Sequence, residues 1–192
     1  MTKSELRKSY LERRAQLSLS DRSELSEKIA GNFFQNFDLE AVTALHCYIS
    51  IEKFNEINTA PIFERIWKDF PQIMTAVPRV NYRTNELESP IYGPDVELTE
   101  GRWSIPEPFH DVFVEDTAFD IVLVPLVCFD ERGHRVGYGK GYYDRFLRRC
   151  REDCLKIGLS YFSPTADIAD THNADVQLNY CITPDGIFHF IG

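Results

Sequence analysis

The sequence predicts a three-layer α/β/α protein, a Rossmann-like open sheet that is mostly parallel with a mixed edge. Three observations carry that expectation. Strand-like and helix-like segments alternate along the chain, which argues a parallel sheet covered on both faces. The first strand-like run, AVTALHCYIS, is nearly continuous in apolar residues, as strands buried on both faces are. The most apolar run, FDIVLVPLVCF, is followed at once by a glycine-rich stretch, GHRVGYGKGYYDR from Gly133 to Arg145. Such sheets collect ligands at the carboxyl ends of their strands.

The elements follow in order. Thr2 with Glu5 resembles a capping box and opens a helix through about Gln16. Ser20 is the expected cap of a second helix ending near Asn36, with Leu25, Ile29 and Phe33 at helical spacing. AVTALHCYIS is the first strand. Thr59-Ala60-Pro61 starts a third helix, which carries Ile62, Ile66 and Trp67. IMTAVPRV is a second strand, stopped by Pro78. The polar, proline-rich stretch from Asn81 to Asp120 is expected to hold short strands and loops around WSIPEP. After FDIVLVPLVCF and the glycines comes a helix from about Tyr142 to Arg151, then LKIGLS as a strand. Loops from Ser163 to Ala174 lead to two short final strands, YCIT and IFHFI.

Composition bounds the function. A chain of 192 residues is long enough for one well-buried core, and residues 1–192 read as a single domain. A hydrophobic content of 43% and a charged content of 27% are ordinary for a globular protein. The net charge of −9 argues against nucleic-acid and anionic-membrane partners, which select basic faces. A local basic pocket for a small anion stays compatible with it. MTKSELRKSYLERR has no apolar core of a signal peptide, and no run approaches the ~20 apolar residues of a spanning helix. The expected compartment is the cytoplasm. Five cysteines without a CxxC pair read as free thiols, mostly buried, and five scattered histidines show no zinc-ligand spacing.

The glycine stretch demands a reason. Gly133, Gly137, Gly139 and Gly141 fall within nine residues, in a pattern that weakens either a strand or a helix. Glycines let successive backbone N–H groups converge on anionic oxygens. The helix that follows adds its positive N-terminal end. Lys140 puts a mobile charge inside the loop, and Arg135 and Arg145 flank it. The character is that of a polyphosphate cradle. It is not a Walker A loop, because Gly141 follows Lys140 where Ser or Thr is required, nor a dinucleotide fingerprint, because the spacing is GxGxG. A plain surface turn would need one or two glycines. Asp144 reads in two ways, as an early-helix carboxylate paired with Arg148 or as a Mg²⁺ ligand beside phosphates. Tyr142 and Tyr143 can stack on a flat ligand or pack on the sheet.

The stretch VPLVCFDERGHRVGYGKGYYDR resembles the signature of the 5-formyltetrahydrofolate cyclo-ligase family, also called methenyltetrahydrofolate synthetase. Val136 stands where the family has leucine. The resemblance extends along nearly the whole chain, through KSELRKSYLERR, NEINTAPIFERIW, AVPRV and WSIPEP in the family's order. It implies an ATP-dependent, Mg²⁺-requiring ring closure of 5-formyltetrahydrofolate to 5,10-methenyltetrahydrofolate. It implies an ATP site made of Lys3, Arg7, Gly133, His134, Arg135, Val136, Gly137, Tyr138, Gly139, Lys140 and Gly141. Lys140 and Arg145 are the candidate catalytic cations. Asp144 is the implied metal ligand, with Asp175 in support. Glu56 is implied to grip the pterin, and Trp103 and Tyr142 to pack on the folate. Without the resemblance, Glu56 reads as a loop carboxylate, Lys3 and Arg7 as a solvated helix face, and Trp103 and Tyr142 equally as core. The chain departs from the family near its C-terminus, at Ala174-Asp175, Asn179 and Thr183-Pro184. Two other readings compete: a non-catalytic nucleotide- or folate-binding protein of the same fold, and an ATP-using enzyme acting on another small amide. Lys140, Asp144 and Glu56 together favour the cyclo-ligase. The expected partners are small molecules, ATP and a reduced folate, with no obligate protein partner.

Overall fold

The structure is a computed structural model that describes residues 1–101 and 106–190. Helix α1 (Lys3–Ala15) begins at the expected capping box: the Thr2 hydroxyl accepts from the Glu5 amide, and the Glu5 carboxylate accepts from the Thr2 amide. Helix α2 (Leu19–Asn36) is capped by Ser18 and not by Ser20, because Ser18 and Asp21 form a second reciprocal box. Strand β1 (Ala44–Cys47) is buried throughout. Helix α3 (Ala60–Asp69) leads to β2 (Met74–Ala76).

The expected second strand ends sooner than its sequence suggests. Pro78 separates β2 from β3 (Arg79–Asn81), which turns away to pair with β4 (Glu86–Glu88) as a hairpin. A further hairpin joins β5 (Leu98–Glu100) and β6 (Pro106–Pro108). The most apolar run is likewise two strands. Strand β7 (Ile121–Pro125) belongs to the main sheet, whereas β8 (Cys128–Phe129) pairs with β9 (Arg135–Val136). That hairpin intervenes between the buried strand and the loop Gly137–Gly141. Helix α4 (Tyr142–Leu147) is six residues long and stops short of Arg151. Strands β10 (Leu155–Leu159), β11 (Tyr180–Thr183) and β12 (Gly186–His189) complete the sheet.

The main sheet has six strands in the order β12-β11-β10-β7-β1-β2. Neighbours run parallel from β11 to β2, and only β12 is antiparallel, which is the expected mixed edge. Alternation along the strands feeds two cores, as the period of two requires. Leu45, Cys47, Ile121, Leu123, Ile157 and Leu159 meet Ile29 and Phe33 of α2 and Ile62 and Ile66 of α3. Ala44, Val122 and Val124 face Phe119 and the α4 residues Phe146 and Leu147 on the other side. The second face is thus covered by one short helix with hairpins and loops, not by a full helical layer. Helix α1 buries Leu6 and Tyr10 against Val127, Cys128 and Val136 of the β8–β9 hairpin. The five cysteines are free; four are buried and Cys150 is half-buried. No helix among the described residues is long and apolar enough to cross a membrane.

Candidate active site

Strand order reverses between β1 and β7. The chain steps outward from β1 to β2, then lays β7 on the opposite side of β1. Crevices form beyond the carboxyl ends of strands at such a point. Tyr48 and Ile49 after β1, Pro78 after β2 and Pro125 at the end of β7 line a cleft of about 640 Å³. Its lining divides by chemistry. Lys3, Arg7, Gly137, Gly139, Lys140 and Gly141 offer cations and bare backbone, and Phe54, Glu56, Tyr82, Glu107 and Tyr142 offer carboxylates and aromatic faces.

The loop owes its shape to two glycines. Gly139 sits at φ +91° and Gly141 at φ +65°, the left-handed region that glycine enters without strain. A Cβ on Gly139 would also lie 3.4 Å from the guanidinium carbon of Arg7. The amides of Gly139, Lys140 and Gly141 have no hydrogen-bond partner among the described residues. The exposed Lys140 ammonium has no ion pair there either. An anion can therefore take these donors without displacing a protein group.

Helix α1 fixes the loop from one side. Arg7 Nε donates to the Gly137 carbonyl at 2.6 Å. Two turns along, the buried Arg14 donates to the Tyr138 hydroxyl at 3.0 Å and to the Leu126 carbonyl at 2.6 Å. The Tyr138 hydroxyl in turn donates to Glu56 Oε1 at 2.6 Å, and the Ile51 amide donates to Oε2 at 2.8 Å. Burial holds the Glu56 carboxyl above its ordinary 4.5, while the hydrogen bonds from Tyr138 and Ile51 and the charge of Arg14 oppose the rise. Tyr138, expected among the nucleotide contacts, sends its hydroxyl to the candidate pterin carboxylate.

The acidic residues are already oriented. Asp144 Oδ1 accepts from Arg135 at 2.7 Å and from the Val176 amide at 3.1 Å. Arg135 is itself buried and also donates to the Val176 carbonyl, so it aims Asp144 and is not a free cation. Asp144 Oδ2 has no partner among the described residues. Lys3 reaches the cleft paired with Asp175 at 2.5 Å, and its amide donates to Asp170 at 2.6 Å. Asp175 also accepts from the His172 amide at 2.7 Å.

Several expected contacts lie elsewhere. Gly133 turns the β8–β9 hairpin at φ +81°; a Cβ there would sit 2.8 Å from the Phe190 ring and 3.0 Å from the Leu178 carbonyl. Its role is packing. Val136 is buried under α1, and His134 faces the Gln177 amide at 3.3 Å. None of these three lines the cleft. Arg145 does not line it either. It braces the loop, donating to the Lys140 carbonyl at 3.2 Å and the Asn85 carbonyl at 2.9 Å, with its guanidinium over the Tyr142 ring. Trp103 lies outside the described residues. Tyr142 lines the cleft and donates its hydroxyl to Asn85 at 3.0 Å.

Sequence reasoning did not single out Arg14, Glu107 or Asp170, and it left Tyr143 as a stacking residue. The Tyr143 hydroxyl is buried in the cleft wall with no partner among the described residues. Glu107, in the WSIPEP stretch, is half-buried and its carboxyl is raised by that burial, with Arg79 opposing. Arg14 was reachable in principle: it continues the Lys3 and Arg7 stripe two turns further along α1.

Three similarities with known proteins bear on this arrangement. A solved structure of 5,10-methenyltetrahydrofolate synthetase from Aquifex aeolicus superposes with a TM-score of 0.85 at 30% identity, covering 100% of this chain and 94% of that one. A 5-formyltetrahydrofolate cyclo-ligase from Mycoplasma pneumoniae is 31% identical over 187 residues, 96% of this chain and 100% of its own. The Escherichia coli cyclo-ligase is 24% identical over 182 residues, 93% of this chain and 98% of its own. The family model itself matches residues 1–184. With that match spanning the five parallel strands, the glycine loop and the cleft between them, this chain belongs to the 5-formyltetrahydrofolate cyclo-ligase family.

Proposed function

We propose that this protein closes the ring of 5-formyltetrahydrofolate to give 5,10-methenyltetrahydrofolate, using ATP and releasing ADP and phosphate. The observation that carries the reading is a single cleft that joins unpartnered loop amides and Lys140 to the half-buried carboxylate of Glu56. The amides of Gly139 to Gly141 and the Lys140 ammonium suit the β- and γ-phosphates, and Arg7 adds charge beside them. Glu56, held at both oxygens but with lone pairs to spare, suits the amino and ring N–H donors of a pterin. Tyr142 and Phe54 offer faces for the flat ring.

The chemistry follows from the weakness of a formamide oxygen as a leaving group. Transfer of the γ-phosphoryl group to that oxygen makes an imidate-like phosphate. Attack by N10 on the same carbon then closes the ring, and phosphate departs with the oxygen. In such a transfer the protein mainly positions reactants and neutralises charge. Lys140 meets the charge on the transferring group, and Arg145 acts through the loop it braces.

The residues fit Mg²⁺ carried in with the phosphates. The described residues hold no cluster of three or more His, Cys, Asp or Glu able to cage a metal. One oriented carboxylate with a free oxygen, Asp144, is what a phosphate-bound Mg²⁺ asks of a protein. Asp175 is committed to Lys3 and supports from behind. Bound there, the ion would supply charge neutralisation across the phosphate oxygens.

The test is an absorbance assay of the purified protein with 5-formyltetrahydrofolate and Mg-ATP. The near-ultraviolet band of the methenyl product should develop only with ATP present. Lys140→Ala should lower kcat/KM for ATP about 30- to 1,000-fold, the worth of about 2–4 kcal/mol of charged contact to phosphate. No product at any wild-type concentration would overturn the activity, and a fully active Lys140→Ala would overturn the loop assignment.

A further inference from the structure

Tyr138 belongs to two places at once. Its backbone lies inside the glycine loop, between Gly137 and Gly139, and its hydroxyl donates to Glu56 at 2.6 Å. Glu56 comes from the segment before α3, 82 residues earlier. The bond is short and charge-assisted, the stronger kind. Its geometry is set from below by Arg14, which is buried and spans from the Tyr138 hydroxyl to the Leu126 carbonyl. Phe54 packs on the Tyr138 ring, with centroids 5.9 Å apart. Arg7 at the Gly137 carbonyl and Arg145 at the Lys140 and Gly141 carbonyls hold the loop through its backbone, and the Tyr138 side chain ties it to Glu56. A loop of glycines has much freedom to lose on binding.

We propose that the Tyr138 hydroxyl makes the phosphate loop and the pterin carboxylate one binding unit, so that nucleotide and folate each tighten the other, with Arg14 as its positioning residue. The inference rests on the reading that the loop takes ATP and Glu56 takes the pterin. A triphosphate on the loop amides fixes the backbone of residue 138, and with it the donor that orients Glu56. A pterin on Glu56 fixes the same hydroxyl, and with it the amides. Whichever ligand binds second finds its site already ordered. Such coupling is reciprocal by thermodynamic necessity. It would also keep the loop poorly organised for phosphoryl transfer until the formyl acceptor is in place.

Titration calorimetry on the full chain tests this, with 5-formyltetrahydrofolate and the β,γ-imido analogue of ATP as Mg²⁺ salt. In the wild type, folate should bind at least about fivefold tighter with the analogue present, within the usual 5- to 150-fold range of coupled sites. The analogue should gain the same factor from folate. In Tyr138→Phe the factor should fall to within about twofold of unity while both ligands still bind. A general loosening of the structure would weaken each ligand alone without changing that ratio. Tyr138→Phe keeps the ring, and 38% of the residue is exposed, so folding is expected to survive. Arg14→Met should lower the factor too, with its melting curve recorded alongside. A wild-type factor of one, or a Tyr138→Phe variant with the wild-type factor, overturns the proposal. If both ligands bind the wild type independently, only this inference falls. If neither binds, the functional reading falls and takes this one with it.

Discussion

If Glu56 takes the pterin as proposed, it must be ionised to accept from it, and desolvation works against that. Desolvation raises its pKa, and the Tyr138 hydroxyl, the Ile51 amide and Arg14 pull it back toward the ordinary value. Tyr48, Tyr143 and Tyr161 also bring titratable hydroxyls near it, and Tyr161 donates its hydroxyl to the Glu56 carbonyl. The sign follows directly. Folate binding that needs the carboxylate is lost as pH falls through the raised pKa. Removing the Tyr138 donor raises that pKa further. Profiles of kcat/KM for folate against pH should therefore show an acid limb that moves to higher pH in Tyr138→Phe. An unmoved limb, or one moved to lower pH, would dissociate Glu56 from folate binding. At this scale the sequence was only partly legible. Lys140 and the loop glycines spoke through their own pattern, whereas Glu56 spoke only through family resemblance. Arg14 read as one more charge on a basic helix. Its burial depends on a carbonyl 112 residues away, at Leu126, which no local pattern reveals.

The clearest local signals are chemical, and most of them hold. The Thr2–Glu5 box starts α1 where expected, and Pro78 lies in the break between β2 and β3. The cap of α2 is Ser18, two residues before the expected Ser20: either hydroxyl can accept a first-turn amide, but only Ser18 has a carboxylate, Asp21, three residues on to complete the box. Helix α4 ends early without a glycine or proline stop. Beyond it Arg149 pairs with Asp116 and Arg151 with Asp120, contacts that exist only in the folded chain. The run FDIVLVPLVCF has the pattern of one strand, but Pro125 lies at its break and lets β8 leave the sheet to form a hairpin. That hairpin places Gly133 at its turn, outside the cleft lining. Gly133→Ala should destabilise the protein by about 1–3 kcal/mol, through positive-φ strain and overlap with Phe190. The fraction that folds should keep the wild-type KM for ATP. A variant with normal stability and a raised KM would return Gly133 to the nucleotide site.

At the scale of the whole molecule, the net charge of −9 pointed away from nucleic acids, and the cations of the cleft are a local exception to it. The fully buried His46 on β1 gives the fold a pH dependence of its own. Its ring packs against Phe119, Tyr143 and Phe146, neither nitrogen has a partner among the described residues, and burial lowers its pKa to about 3. The unfolded chain takes up that proton near 6.5 and the folded chain does not, so stability falls as pH drops below 6.5. By pH 5 the loss should reach about 2 kcal/mol, and His46→Phe should remove most of it in urea titrations at the two pH values. An equal pH dependence in the variant would place the effect on other groups. Neither this histidine nor the reversal of strand order between β1 and β7 could be located from the alternation of segments alone. Alternation gave the parallel sheet, and the pairing of distant strands decided where it opens.

The proposed activity requires the loop from Gly137 to Gly141 to receive the triphosphate. A crystal structure with Mg²⁺ and the β,γ-imido analogue of ATP tests this most directly. The amides of Gly139, Lys140 and Gly141 should lie within about 3.2 Å of phosphate oxygens, with the Lys140 ammonium beside them. A triphosphate bound away from this loop, with those amides still unoccupied, would contradict it.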